Sequence, residues 1–182
     1  KLIVTDANGC TNTATIAVST SSGPTLQARW NINHGPWTIG NSIDVCKGTK
    51  IVFSGNPTPT GGTYAWSGPA GFSSTDAEPY IINIQPNQAG TYTLVYTKDG
   101  CSSTITFNVV VRDLVVDLGA DKTTCSGNTV TITSNVTGSI TPYTYAWSNG
   151  AAAPSITVTP TATTTYTLTV TDSKLCSDSD II

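Results

Sequence analysis

PTATTTYTLTVTDSKLC, residues 160–176, decides the fold, because the chain writes it three times. It recurs at residues 86–101 as PNQAGTYTLVYTKDGC and, shortened, at residues 1–10 as KLIVTDANGC. In both full copies a proline precedes a tyrosine by the same interval (Pro86 and Tyr92, Pro160 and Tyr166), and an alternating strand, a turn and a cysteine follow. Tyr92, Leu94 and Tyr96 share one face, as do Tyr166, Leu168 and Val170, while threonine fills the other. That pattern is a half-buried strand, and its recurrence makes a repeated β unit the organising feature of the chain.

The rest of the sequence carries the same signal. TYAWS occurs at residues 63–67 and again at 144–148, and Ile51 and Phe53 have counterparts in Val130 and Ile132. Glycine and proline punctuate at strand-length intervals, and no stretch shows a helical period. The spacing predicts three pieces. Residues 1–20 form the closing hairpin of a preceding domain, turning at Asn8-Gly9, and Ser19–Pro24 (STSSGP) forms a linker. Residues 21–112 form a complete domain, and residues 113–182 form another that lacks the end of its last strand. Residues 112–121, RDLVVDLGAD, contain no flexible spacer and predict a stiff junction. On this reading the sequence is a segment of a longer protein that continues in both directions.

Charged residues make up 10% of the chain, against a usual figure of about 25%, and the net charge is −3. A surface built from Thr, Ser, Asn and Gly offers no basic footprint for nucleic acid or for an anionic membrane. No apolar run approaches the roughly 20 residues of a spanning helix.

The chain has five cysteines. Cys46 and Cys125 each precede an alternating strand, whereas Cys101, Cys176 and Cys10 each close the tyrosine unit. The repeat therefore predicts disulfides Cys46–Cys101 and Cys125–Cys176, one per domain, with Cys10 left unpaired. Such bridges imply an oxidising compartment, and each would stabilise its domain by about 4 kcal/mol. Zinc is disfavoured, since no two cysteines are close in sequence and His34 is the only histidine.

The order cysteine, tryptophan within TYAWS, then Tyr-x-Leu before a second cysteine resembles immunoglobulin-like sandwiches, with Trp66 and Trp147 as the central-strand tryptophans. More specifically, YTYAWSNGAAAPSITVTPTATTTYTLTVTDSKLC and KLIVTDANGCTNTATIAV are similar to the Ig-like and PKD-like repeats of giant surface proteins of Bacteroidota, including gliding-motility adhesins of the SprB type. The resemblance implies an all-β chain of tandem Ig-like antiparallel sandwiches, exported and displayed at the bacterial cell surface or secreted.

The candidate sites are few. Nothing accompanies His34 that would make a nucleophilic centre, and Asp178 and Asp180 read as solvated acids on a terminal strand, so no catalytic residue, metal ligand or cofactor is expected and the chain is not read as an enzyme. Asp113, Asp117 and Asp121 cluster near the junction without the loop that calcium favours. Trp37, with Arg29, Asn31 and Asn33 nearby, is the candidate glycan contact, whereas Trp30 falls on an apolar register. The expected role is a disulfide-clipped stalk segment of a long surface adhesin or filament, whose partners are neighbouring Ig-like domains of the same chain or end-to-end copies. The alternative is a carbohydrate-binding module of a secreted polysaccharide-degrading enzyme that meets surface glycans.

Overall fold

The computed structural model describes residues 1–18, 20 and 22–182, so Ser19 and Ser21 of the expected linker lie outside the described residues. The chain is all-β. Its strands are β1 (Leu2–Thr5), β2 (Thr11–Ala14), β3 (Arg29–Ile32), β4 (Thr38–Ile39), β5 (Ser42–Cys46), β6 (Ile51–Ser54), β7 (Thr63–Ser67), β8 (Ser73–Ser74) and β9 (Tyr80–Ile81). There follow β10 (Gly90–Lys98), β11 (Cys101–Arg112), β12 (Val115–Asp117), β13 (Val130–Thr133), β14 (Asn135–Thr137), β15 (Thr144–Trp147), β16 (Ser155–Val158), β17 (Thr167–Thr171) and β18 (Ser177–Ile181).

Two hydrophobic cores form, each between sheets whose inward residues alternate as the sequence pattern requires. The first lies between a sheet ordered β4-β3-β6-β9 and a sheet ordered β5-β11-β10-β7-β8. Phe53 is its centre, stacked on Tyr92 at 4.9 Å between ring centroids and edge-on to Phe107 at 5.5 Å. Tyr92, Leu94 and Tyr96 are fully buried, as the alternation predicts. The Tyr92 hydroxyl donates to the Gln88 carbonyl four residues upstream (2.7 Å), the geometry of a tyrosine corner. Burial pushes the Tyr92 phenol up to about 12.

The second core is smaller, built from β12-β14, β13-β16 and β15-β17-β18 around Trp147, Leu168 and Val170. Both TYAWS tryptophans are buried, and each indole donates to a backbone carbonyl: Trp66 to Asp76 at 2.9 Å and Trp147 to Ala153 at 2.8 Å. Repetition therefore extends from the words of the sequence to the hydrogen bonds of the core.

Two registers differ from the simple alternation. Ile81 and Ile84 point inward and Ile82 is exposed, because Asn83 sits in the left-handed region (φ 56°) and shifts the phase. On β3 it is Asn31 that is buried, while Trp30 packs against the core only in part and Ile32 is exposed. Among the described residues no sheet faces the hairpin β1–β2, and Leu2, Ile3 and Val4 are exposed.

Among the described residues one pairing is parallel. β5 runs alongside the end of β11, with Ser42 opposite Asn108 and Cys46 opposite Arg112. The forked Arg112 guanidinium holds both Asp44 carboxylate oxygens, at 2.8 and 2.7 Å, and fixes this register. Cys46 is thereby delivered to the end of the first sandwich from which the chain leaves for the second.

A candidate functional site at the junction of the two sandwiches

The expected bridges within each unit do not form. Cys46 is bonded to Cys176, joining the first sandwich to the second across 130 residues of sequence, and Cys10, Cys101 and Cys125 are free thiols. The parallel β5–β11 register explains the correction. Cys46 lies opposite Arg112, whereas Cys101 begins the same 12-residue strand, about 36 Å away by strand rise. Cys125 lies in the loop that meets Pro160 and Thr161, and Cys176 lies in the turn between β17 and β18.

That turn is built around Asp172. Its Oδ1 accepts the backbone N–H groups of Lys174 and Cys176, both at 2.8 Å, while its own N–H donates to the Cys176 carbonyl at 2.9 Å. The Ser139 hydroxyl donates to the other carboxylate oxygen. Burial pushes the Asp172 carboxyl up, but the bonds from Ser139, Cys176 and Lys174 outweigh it and hold the group below the usual carboxylate range. The turn closes with Leu175 at φ 65°, a conformation that glycine adopts more cheaply. Lys174-Leu175 is the counterpart of Asn8-Gly9, since the Asp6 turn carries the same backbone bonds and closes with Gly9 at φ 82°.

Polar contacts surround the bridge, and the Lys47–Asp113 pair crosses between the sandwiches while the others brace each side of the junction. Lys47 pairs with Asp113 at 2.9 Å, and the Lys47 N–H donates to the Arg112 carbonyl at 2.8 Å. Asp178 and Asp180, expected to be solvated, instead accept the N–H groups of Val116 and Leu118, each at 2.8 Å. Side-chain carboxylates thus do for β12 what a neighbouring backbone would do in a ladder. The Leu118 and Ile181 N–H groups hold the Asp180 carboxyl below its ordinary range. A bare Cα at Gly138 lets the chain pass the Asp113 carbonyl, which a Cβ would strike.

The other candidate residues are placed as follows. Asn33 and His34 both have positive φ and form the centre of the tight turn between β3 and β4, closed by the Gly35 N–H to the Ile32 carbonyl at 2.8 Å. The Asn33 side chain accepts the Lys50 N–H at 3.2 Å, and His34 Nε2 lies 3.0 Å from Lys50 Nζ. Trp37 is exposed on the surface, but the Arg29 guanidinium covers one face of its ring at 4.5 Å and also pairs with Glu78 at 3.1 Å. Asp113 pairs with Lys47 and Asp117 caps its own turn at Gly119, and among the described residues no three His, Cys, Asp or Glu side chains gather as a metal group. Of the residues singled out in the sequence, the structure brings together Cys46, Cys176, Asp113, Asp178 and Asp180. Asp172 escaped the sequence reading, although Asp-x-x-x-Cys at residues 6–10 and 172–176 was the available signal.

No protein-family model matches the chain, and no curated protein matches it. Among solved structures it is similar to the N-terminal eight Ig domains of Down Syndrome Cell Adhesion Molecule (TM-score 0.57, 12% identity), covering 99% of this chain and 34% of that one. It is also similar to the three N-terminal domains of the bacteriophage RB49 Highly Immunogenic Outer Capsid protein (TM-score 0.46, 17% identity), covering 87% of this chain and 57% of that one. The chain spans about a third of the length of the first structure. At these identities the likeness is one of fold: the chain is a tandem of Ig-like sandwiches.

Proposed function

We propose that the chain is a structural segment of a long extracellular surface adhesin or filament, working as a stiff stalk whose consecutive Ig-like modules are bridged covalently. The modules are residues 21–112 and 113–182, with residues 1–20 the closing hairpin of a further repeat. The Cys46–Cys176 bond carries this reading, because it spans the junction and restrains how one sandwich moves against the other. The two-residue link between β11 and β12 and the Lys47–Asp113 pair support it. A disulfide of this kind belongs in an oxidising compartment, consistent with the outside of a cell. The similarity of its repeats to giant surface proteins of Bacteroidota, including gliding adhesins, supports this reading. In this role the segment has no reaction centre, and its partners are neighbouring Ig-like modules.

Solution X-ray scattering of the intact chain tests the stalk directly. A single elongated envelope is expected with the bond formed, and a broader distribution of inter-sandwich distances after reduction or in Cys46→Ser. Identical scattering profiles in the two states would sink the reading.

A further inference from the structure

The loop at Cys125 is built like the loop at Cys46. In the first, Gly48 at φ 86° donates its N–H to the Ile84 carbonyl (2.8 Å) and the Thr49 N–H donates to the Cys46 carbonyl (3.2 Å). In the second, Gly127 at φ 77° donates to the Pro160 carbonyl (3.0 Å) and the Asn128 N–H donates to the Cys125 carbonyl (3.0 Å). Cys46 receives the thiol presented by the Asp172–Cys176 turn, whereas Cys125 is exposed and free.

A second turn of the Asp172 kind exists in the chain. Asp6 accepts the N–H groups of Asn8 and Cys10, both at 2.9 Å, and the Asp6 N–H donates to the Cys10 carbonyl at 2.9 Å. Its thiol is also exposed and free. The described residues thus hold one complete bridge between a Cys-x-Gly loop and an Asp-x-x-x-Cys turn, and one unjoined half of each. Beside Cys125 lies a groove of about 620 Å³ lined by Thr124, Ser126, Val130, Val158, Tyr166 and Ile182. The corresponding edge of the first sandwich is covered, since β5 pairs there with β11.

We propose that Cys125 of one copy and Cys10 of a second copy form a disulfide that joins copies head to tail. The Asp6–Cys10 turn then seats at the Cys125 loop as the Asp172–Cys176 turn seats at Cys46. The proposal rests on the reading of the chain as a covalently bridged stalk and extends it from modules to molecules. The oxidant is a small-molecule or protein disulfide. With oxidised glutathione, the Cys125 thiolate attacks one glutathione sulfur and expels the other as a thiolate. The Cys10 thiolate then attacks the Cys125 sulfur and expels the second. Two protein thiols lose two protons and two electrons, and one oxidised glutathione becomes two reduced ones.

The test incubates the whole chain, Cys10→Ser, Cys125→Ser and an equal mixture of the two variants in a glutathione redox buffer, followed by non-reducing electrophoresis and mapping of linked peptides. The wild-type chain is expected to give a ladder of multimers, each variant alone a monomer, and the mixture a single dimer containing a Cys10–Cys125 peptide. Dimers from either variant alone, links made chiefly through Cys101, or monomers capped throughout by glutathione would overturn the proposal. Both substitutions are at exposed residues and leave Cys46–Cys176 intact. Scattering from the monomeric variants therefore reports the stiffness of the stalk separately, whichever way the ladder turns out.

Discussion

Cys46, the last residue of β5, is bonded to Cys176, the residue before β18, with Cα atoms 5.3 Å apart although the two are 130 positions apart in sequence. Cys176 lies in the second core and Cys46 packs against that core from the first sandwich, so the bond is part of the second sandwich's packing as well as its tether. The chain-entropy model gives closure of a loop this long a stabilisation of about 5 kcal/mol.

Asp172 positions Cys176 for that bond. Asp172→Ala leaves two backbone N–H groups at the turn without their acceptor and is expected to cost about 2–3 kcal/mol, read by denaturant unfolding of the oxidised protein. The folded carboxyl titrates below its unfolded value, so its contribution is fully present above about pH 4. That contribution is lost as pH falls through the lower, folded-state value. Melting temperature measured against pH should fall in this acid range for the wild type and less steeply for Asp172→Ala. Parallel profiles would count against the role.

Leu175 occupies the position that Gly9 fills in the equivalent turn, and it is 83% exposed, so little packing is at stake. Relief of left-handed strain outweighs the entropy that glycine adds to the unfolded chain, and Leu175→Gly is expected to stabilise by about 0.5–1 kcal/mol. A lower melting temperature for this variant would show that the turn is not under that strain.

The correspondence between these turns shows what the sequence makes legible. Alternation around Tyr92 and Tyr166 and the duplicated TYAWS identify the strands, the cores and the Ig-like architecture, because period-2 burial is a local property. The cysteine pairing was illegible, because it depends on β5 running parallel to β11, a long-range pairing that no local pattern announces. The same limit applies to Asp178 and Asp180, whose partners Val116 and Leu118 lie 62 residues away in sequence. Asn83 is a milder case: one left-handed residue breaks the alternation, so that Ile81 and Ile84 are buried and Ile82 is exposed.

Tyr92 ties the closing strand to the turn before it. Tyr92→Phe keeps the ring in the core and removes the bond to the Gln88 carbonyl, at an expected cost of about 1 kcal/mol. Burial raises the phenol to about 12, above its unfolded value of about 10, so its share of stability is fully present below pH 10. That share is lost as pH rises towards 12. Ultraviolet titration of tyrosinate should find one fewer late-ionising phenol in Tyr92→Phe than in the wild type, in which burial raises Tyr64 as well.

Gly138 permits the close passage of the Asp113 carbonyl and also has φ 84°, so Gly138→Ala meets both a clash and a backbone cost. The expected loss is about 2–4 kcal/mol. Gly119→Ala, at φ 76° with open space around it, should cost only about 1–2 kcal/mol. Equal denaturation midpoints for the two variants would remove Gly138 from the account of the junction.

The bond across the junction is tested most directly by pulling single molecules from their two ends. With the bond intact, tension passes from Cys46 to Cys176 and the segment between them cannot extend. Reduction should release about 430–470 Å of additional extension, the reach of 130 residues. The same total extension with and without reductant would contradict a covalent bridge between the two sandwiches.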